Sequence, residues 1–159
     1  MAGRAEQPQS SEWSVATAAE PTPPSWLLAD VVYDSAWNLP PVEETAATAR
    51  RLVATACSTF GMAELADDAA LLTSELVTNA VRHASEPIEL HVGNHRGGVV
   101  VAVRDDSDVM PMIPQLEQYG ERGRGIRLVD ALAVQWGIER DASPGKTVWF
   151  HLVRATSDC

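Results

Sequence analysis

Apolar residues recur at helical spacing in two consecutive stretches of the chain. The first stretch, about residues 42–60, has these periodic positions: Ala46, Ala49, Leu52, Val53, Ala56 and Phe60. This spacing predicts an amphipathic helix, with Pro41 suited to its first turn and Gly61 suited to its end. The second stretch opens at residue 63 or 64 and ends near Ala84, before Pro87.

Five further stretches have the pattern of β-strands: 31–39, 88–94, 99–103, 136–139 and 147–153. The first is a candidate edge strand, because Pro40 follows it directly. In the second, Glu89 and His91 alternate with apolar residues, which is typical of a strand buried on one face. The third is a continuous apolar run, typical of a central strand. A Gly-rich turn at 95–98 predicts a hairpin between them.

The order of elements predicts the fold class. It runs strand, two helices, two strands, a long loop, a helix and two strands. This order favours an α/β two-layer sandwich, with a mixed, mainly antiparallel sheet and one helical layer. The loop, about residues 104–120, contains Pro111 and Pro114. Loops of this length in a compact domain are usually functional, often lids. The third helix is predicted from residue 126 to residue 134 or beyond.

The N-terminal 35 residues differ in composition from the rest. Gln, Ser, Glu, Ala and Pro dominate residues 1–35, so we predict a disordered extension. Trp13 and Trp26 are exceptions, either docking on the domain or a partner, or being stray hydrophobic residues. The predicted domain covers residues 36–154, and residues 155–159 form a tail.

Composition and charge narrow the function classes. The chain has 159 residues and a formal net charge of −10, which argues against binding nucleic acid or an anionic membrane. It contains no apolar run of the ~18 residues that a membrane-spanning helix needs and no secretory signal pattern. Cys57 and Cys159 form no disulfide or metal-ligand pattern. We therefore expect a cytoplasmic protein of one domain.

Three polar residues lie on one face of the second predicted helix. Glu75, Asn79 and His83 are spaced by four residues and so share a face. Apolar residues flank them on both sides, which indicates a buried helix whose polar groups need a partner. The alternative is a solvent-facing polar stripe. An Asn oxygen suits Mg²⁺, Glu suits a general base, and a His at a helix end also interacts with the dipole.

Two further sites carry candidate chemistry. Asp105 ends the apolar strand, where it is either a turn residue or an acceptor for a ligand amino group. Gly123 and Gly125 precede a helix, so their backbone N–H groups can approach a phosphate, and Arg124 between them adds anion affinity. The alternative is an ordinary glycine loop.

Two nucleotide-binding motifs are excluded by their context. Gly145-Lys146-Thr147 is similar to the end of a P-loop, but Arg140 stands at the required upstream glycine and a strand follows. The Gly-x-Gly at 123–125 is no dinucleotide fingerprint, because a long loop precedes it where a strand is needed.

Together these stretches resemble the GHKL superfamily of ATP-binding domains, over about residues 37–153. They are most similar to the anti-sigma-factor serine/threonine kinases of the short actinobacterial type. Residues 72–83 look like the N box, and Asp105 falls at the adenine-reading position. Residues 123–128 are similar to the later glycine box, and residues 145–150 to the closing strand, with Thr147 at its nucleotide-contacting position. The fold that this resemblance implies is the Bergerat type.

The resemblance also implies ATP and Mg²⁺ as cofactors and a role for each site residue. Asn79 would hold Mg²⁺, Glu75 would be the general base, and Asp105 would accept a hydrogen bond from the adenine amino group. The nucleotide-contacting set that it implies is Asn79, His83, Asp105, Ser107, Gly123, Arg124, Gly125 and Thr147.

The partners implied are an anti-sigma-factor antagonist, a sigma factor, or both, often with a homodimer. The chain departs from the superfamily at the adenine box, where residues 105–109 lack the two glycines of Asp-x-Gly-x-Gly. The first functional hypothesis is a kinase that phosphorylates the antagonist. The second is a non-catalytic, ATP-dependent binding module. The third, the catalytic half of a split histidine kinase, would need a phosphoacceptor in trans.

Overall fold

One antiparallel sheet organises the fold. The computed structural model describes residues 31–109, 129, 131–140 and 144–155. Its strands are β1 (Val31–Leu39), β2 (Ile88–His95), β3 (Gly98–Asp105), β4 (Gln135–Arg140) and β5 (Lys146–Val153). They lie in the order β1-β2-β3-β5-β4, and each adjacent pair is antiparallel. The predicted α/β two-layer sandwich is confirmed, with a described sheet that is antiparallel throughout.

Two helices cover one side of the sheet. They are α1 (Thr45–Thr59) and α2 (Ala66–His83), and a 3₁₀ turn (Ala63–Leu65) precedes α2. Gly61 ends the α1 region with a φ of 73°, a conformation that glycine adopts without strain. Acidic residues lie in the first turn of α2 and basic residues in its last turn, which complements the helix dipole.

The β2–β3 hairpin fixes the register of the central strands. Arg96 and Gly97 form its two-residue turn, with φ angles of 46° and 71°, as a type I′ turn requires. This turn places Leu90 opposite Val103, and it places Glu89 opposite Arg104. Because side chains alternate between the faces of a strand, the register determines which residues share a face.

We call the side of the sheet that packs against the helices the inner face. Its buried side chains join those of α1 and α2 in one core: Leu39, Ile88, Leu90, Val92, Val99, Val101, Val103, Trp136, Val148, Phe150 and Leu152. The opposite side is the outer face. By alternation it carries Glu89, His91, His95, Val100, Ala102, Arg104, Glu139, Thr147, Trp149 and His151. Ala102 and Trp149 form a cluster separate from the main core.

The structure corrects three predictions. β2 was expected to be buried on one face, but Glu89 and His91 are 7% and 3% exposed, so both faces are buried. β3 continues through Asp105, which is a strand residue. The extension predicted to be disordered was given the bounds 1–35, but its last five residues, 31–35, belong to β1.

Several predicted segments lie wholly or partly outside the described residues. These include the extension at residues 1–30 and most of the predicted lid at 104–120. Of the third predicted helix, Val129, Ala131 and Leu132 are helical, and Val129 is buried in the main core. Within the described part of the chain, no helix is long and apolar enough to cross a membrane.

Candidate functional site

Asp105 forms a buried ion pair at the end of β3. The Lys146 ammonium lies 2.9 Å from each oxygen of the Asp105 carboxylate. The two residues face each other across β3 and β5, and they are 2% and 3% exposed. Asp105 and Lys146 therefore occupy the inner face, on the side of the helices.

The carboxylate retains one site for a ligand. The Ser107 backbone N–H donates to Asp105 Oδ1 at 2.8 Å, and Lys146 occupies one position on each oxygen. Since a carboxylate offers about four lone-pair sites, one acceptor position on Oδ2 remains. The chemistry of this site fits a ligand that donates one hydrogen bond, such as an adenine amino group.

Opposing effects act on the charge of Asp105. Burial raises the pKa of its carboxyl above the ordinary value, and the hydrogen bond and charge of Lys146 offset part of that rise. Lys146 therefore helps to keep the carboxylate ionised, and an ionised carboxylate is a stronger acceptor than a neutral one.

Ser107 shapes the turn after β3. Its Oγ accepts a hydrogen bond from the Val109 N–H at 3.0 Å, while its own N–H donates to Asp105. Asp105, the last residue of β3, thus stabilises the following turn through Oδ1 and remains available as an acceptor through Oδ2. The two predicted roles of Asp105 are compatible in this geometry.

The polar residues of α2 lie at the edge of its buried face. Glu75 and Asn79 are half-buried and His83 is exposed, while Leu71 on the same side is 41% exposed. The prediction of a helix buried on most sides is wrong, because only one face of α2 packs into the core. A solvent-facing edge therefore tolerates these polar groups without a ligand.

The end of α2 nevertheless lies at the same end of the sheet as Asp105. The Ser85 N–H, just after α2, donates to Asp106 Oδ1 at 2.8 Å. The chain then enters β2 at Ile88. Asn79 and His83, in the last turns of α2, are therefore placed towards the Asp105 end, and Glu75 lies one turn further back.

Thr147 is not brought to this site. Its neighbour Lys146 pairs with Asp105 on the inner face, so alternation directs Thr147 to the outer face. There its hydroxyl is buried and has no hydrogen-bond partner among the described residues. Lys146, which sequence reasoning missed, occupies the position beside Asp105. Counting alternate residues back from Val148 would have identified it.

Comparison with known proteins decides the family. A profile of the histidine kinase-like ATPase domain matches residues 39–152, which is most of the chain. The chain belongs to this family. The predicted GHKL resemblance is thereby confirmed. No curated protein matches the sequence of this ATPase domain.

A solved structure shares the fold of this ATPase domain. It is the crystal structure of the RsbU and RsbW domains of Rv1364c from Mycobacterium tuberculosis, with a TM-score of 0.59 and 20% sequence identity. The match covers 86% of this chain and 34% of that chain, so the chain spans about a third of its length. At this identity the likeness shows the fold alone.

The described groove of the ATPase domain lies apart from Asp105. Gly123, Arg124 and Gly125 fall outside the described residues. A groove of about 180 Å³ lies between β1 and α1, against Trp37 and Phe60, three strands away from β5. No group of three His, Cys, Asp or Glu residues in the described part of the chain could hold a metal ion. Burial raises the pKa of the Cys57 thiol to about 11, so it is no nucleophile at neutral pH.

Proposed function

We propose that this protein binds ATP and that Asp105 reads the adenine amino group. The observation that carries the proposal is a buried carboxylate at a strand end with one acceptor position left. Lys146 helps to keep this acceptor charged. Membership of the histidine kinase-like ATPase family supports the same ligand.

Asn79 and the glycine segment would serve the phosphate end. An amide oxygen is a ligand that Mg²⁺ accepts, and Asn79 on α2 is half-buried rather than enclosed. Gly123, Arg124 and Gly125 remain proposed phosphate contacts on the basis of the sequence. Bound Mg²⁺-ATP would supply the transferable phosphoryl group.

We further propose that the protein is a serine/threonine kinase acting on a regulatory partner. Glu75 would accept the proton of the partner's hydroxyl as that oxygen bonds to the γ-phosphorus of ATP, and the bond from the γ-phosphorus to the bridging oxygen would break and release ADP. The half-buried position of Glu75 leaves its carboxylate open to a second protein. The partner implied by the family resemblance is an anti-sigma-factor antagonist. Phosphorylation would add about −2 charges, which a protein of net charge −10 would repel.

A nucleotide-dependent binding module is the second candidate. Asp105-Asp-Ser-Asp-Val109 lacks the two glycines of the superfamily motif, and Lys146 already engages both Asp105 oxygens. The missing glycines make close approach of the backbone to the nucleotide harder, and the Lys146 contacts occupy acceptor positions on Asp105. Both features favour nucleotide binding without efficient phosphoryl transfer. In this alternative the protein would sequester a sigma factor or another regulator without transferring phosphate.

Labelled ATP separates these candidates. The full chain is incubated with ATP labelled on its γ-phosphate and with an anti-sigma-factor antagonist. We expect the label on the antagonist, and we expect Glu75→Ala to slow its transfer by about 100-fold or more while ATP affinity changes little. Glu86→Ala, at an exposed carboxylate outside α2, is the matched control and should transfer at the original rate.

Two other results would each contradict part of the proposal. Unchanged transfer by Glu75→Ala would remove Glu75 as the base. Bound ATP without any labelled partner would favour the binding module.

A further inference from the structure

The ion pair of Asp105 and Lys146 has two hydrogen-bonding positions that the described residues do not use. Lys146 Nζ lies 2.9 Å from each oxygen of the Asp105 carboxylate. An ammonium group has three N–H donors, and both contacts of Lys146 with the described residues go to Asp105, so one donor remains. Since Oδ2 also has one acceptor position left, an open acceptor and an open donor lie 2.9 Å apart.

The sheet and the following turn hold these two positions in place. Asp105 and Lys146 are opposite residues in the antiparallel register of β3 and β5. The Ser107 N–H binds Oδ1 at 2.8 Å, so the orientation of the carboxylate is fixed from its other oxygen. Groups supported in this way keep their geometry when a ligand binds. The pair therefore presents one acceptor and one donor in a fixed order.

This order is complementary to adenine. The 6-amino group of adenine is a donor, and the ring nitrogens on its two sides, N1 and N7, are acceptors. Proteins that select a base bind such edges through hydrogen bonds. A base whose amino group donates to Oδ2 has an acceptor nitrogen next to that group, and the nearest open donor of the ion pair belongs to Lys146.

We propose that Lys146 is a specificity-determining residue that donates a hydrogen bond to the ring nitrogen beside the adenine amino group. This inference rests on the proposed function, in which Oδ2 of Asp105 accepts from the amino group itself. Lys146 then contacts the base directly, in addition to its contact with Asp105. The resemblance assigned a nucleotide contact to Thr147, which the β3–β5 register directs to the opposite face.

The same pair disfavours purines that carry an oxygen at position 6. Guanine and hypoxanthine have the acceptor O6 where adenine has its amino donor. In the orientation of adenine, O6 would face Oδ2 of Asp105, and neither atom supplies a proton. A site with polar groups that the wrong ligand leaves unpaired discriminates strongly against that ligand.

Nucleotide analogues test the contact in the unmodified full-length protein. The probes are ATP, 1-deaza-ATP and 7-deaza-ATP; each analogue replaces one ring nitrogen by C–H and keeps the amino group. Dissociation constants are measured by calorimetry with Mg²⁺ present. We expect one analogue to bind about 10-fold or more weakly than ATP, because it loses a hydrogen bond from a charged donor. The other should bind as ATP does, and ITP should bind about 100-fold or more weakly.

Two matched variants assign the lost hydrogen bond to Lys146. Asp105→Asn keeps the Lys146 donor and should keep the preference for ATP over the weaker deaza analogue, although both nucleotides bind less tightly. Asp105→Asn/Lys146→Met lacks that donor and should bind the two nucleotides equally. A merely structural role of Lys146 would weaken both by the same factor and leave their ratio unchanged. Neither variant leaves a buried carboxylate without its partner.

The outcomes separate this inference from the proposed function. Equal affinities for ATP and both deaza analogues in the unmodified protein would overturn the role of Lys146 and leave ATP binding at Asp105 intact. A preference that persists in Asp105→Asn/Lys146→Met would also overturn it, because another group would then be the donor. Absence of ATP binding to the unmodified protein would overturn both the inference and the proposed function.

Discussion

At the scale of single residues, the proposed nucleotide site depends on Asp105 and Lys146. The sequence was sufficient to place Asp105 at a strand end and to assign it an acceptor role. It was not sufficient to show Lys146, because the two residues are 41 positions apart and their contact depends on the β3–β5 register. The same register separates Thr147 from the site. A shift of one residue along a strand moves a side chain to the other face of the sheet. The motif match therefore selected Thr147 for the site, whereas the structure places its neighbour Lys146 there.

Removing Lys146 should leave a buried, uncompensated carboxylate. We expect Lys146→Met to lower the free energy of unfolding by about 3–5 kcal/mol, measured by urea denaturation at pH 7. The double variant Asp105→Asn/Lys146→Met should lose much less free energy of unfolding than the two single variants lose together, because it leaves neither charge buried without its partner.

An exposed ion pair provides the control. Arg154 Nε lies 2.6 Å from Glu64 Oε1, and both side chains are about half exposed. Glu64→Gln should therefore lower the free energy of unfolding by no more than about 1 kcal/mol. Additive effects at Asp105 and Lys146 would contradict the coupling that the structure shows.

At the scale of elements, local periodicity predicted the helices and strands well. β1 has the predicted bounds, and the two helices and the β2–β3 hairpin lie where the apolar spacing indicated. Burial was predicted less well. α2 appeared buried on most sides because Leu71 and Val81 extend its apolar pattern, yet Leu71 is 41% exposed. Which faces are covered depends on the packing partner, and the spacing within one element does not contain that information.

Two adjacent glycines in the β2–β3 hairpin should respond differently to alanine. A Cβ at Gly98 would collide with the backbone carbonyl oxygen of Leu152 on β5, whereas a Cβ at Gly97 would meet nothing within 4 Å. We expect Gly98→Ala to cost about 3 kcal/mol of stability. Gly97→Ala should cost about 1 kcal/mol, through its φ of 71° alone. Thermal unfolding of both variants measures the difference, and equal losses would contradict the close β3–β5 approach.

At the scale of the whole molecule, the order of elements and the motif positions led to the correct family. The two-layer fold and the histidine kinase-like ATPase domain follow from features spread over most of the chain, so an error at one residue did not alter them. Asp105 lies on the inner face, where the nucleotide is proposed to bind.

Binding of Mg²⁺-ATP to the purified full-length protein tests the central claim most directly. Isothermal titration calorimetry should show one site per chain, and Asp105→Asn should weaken it by about 1–3 kcal/mol, roughly 5- to 150-fold. Asp108→Asn, at an exposed carboxylate three residues away, should bind as the unmodified protein does. No heat of binding in the unmodified protein, or equal affinity in Asp105→Asn, would contradict the assignment of Asp105 as the adenine-reading residue.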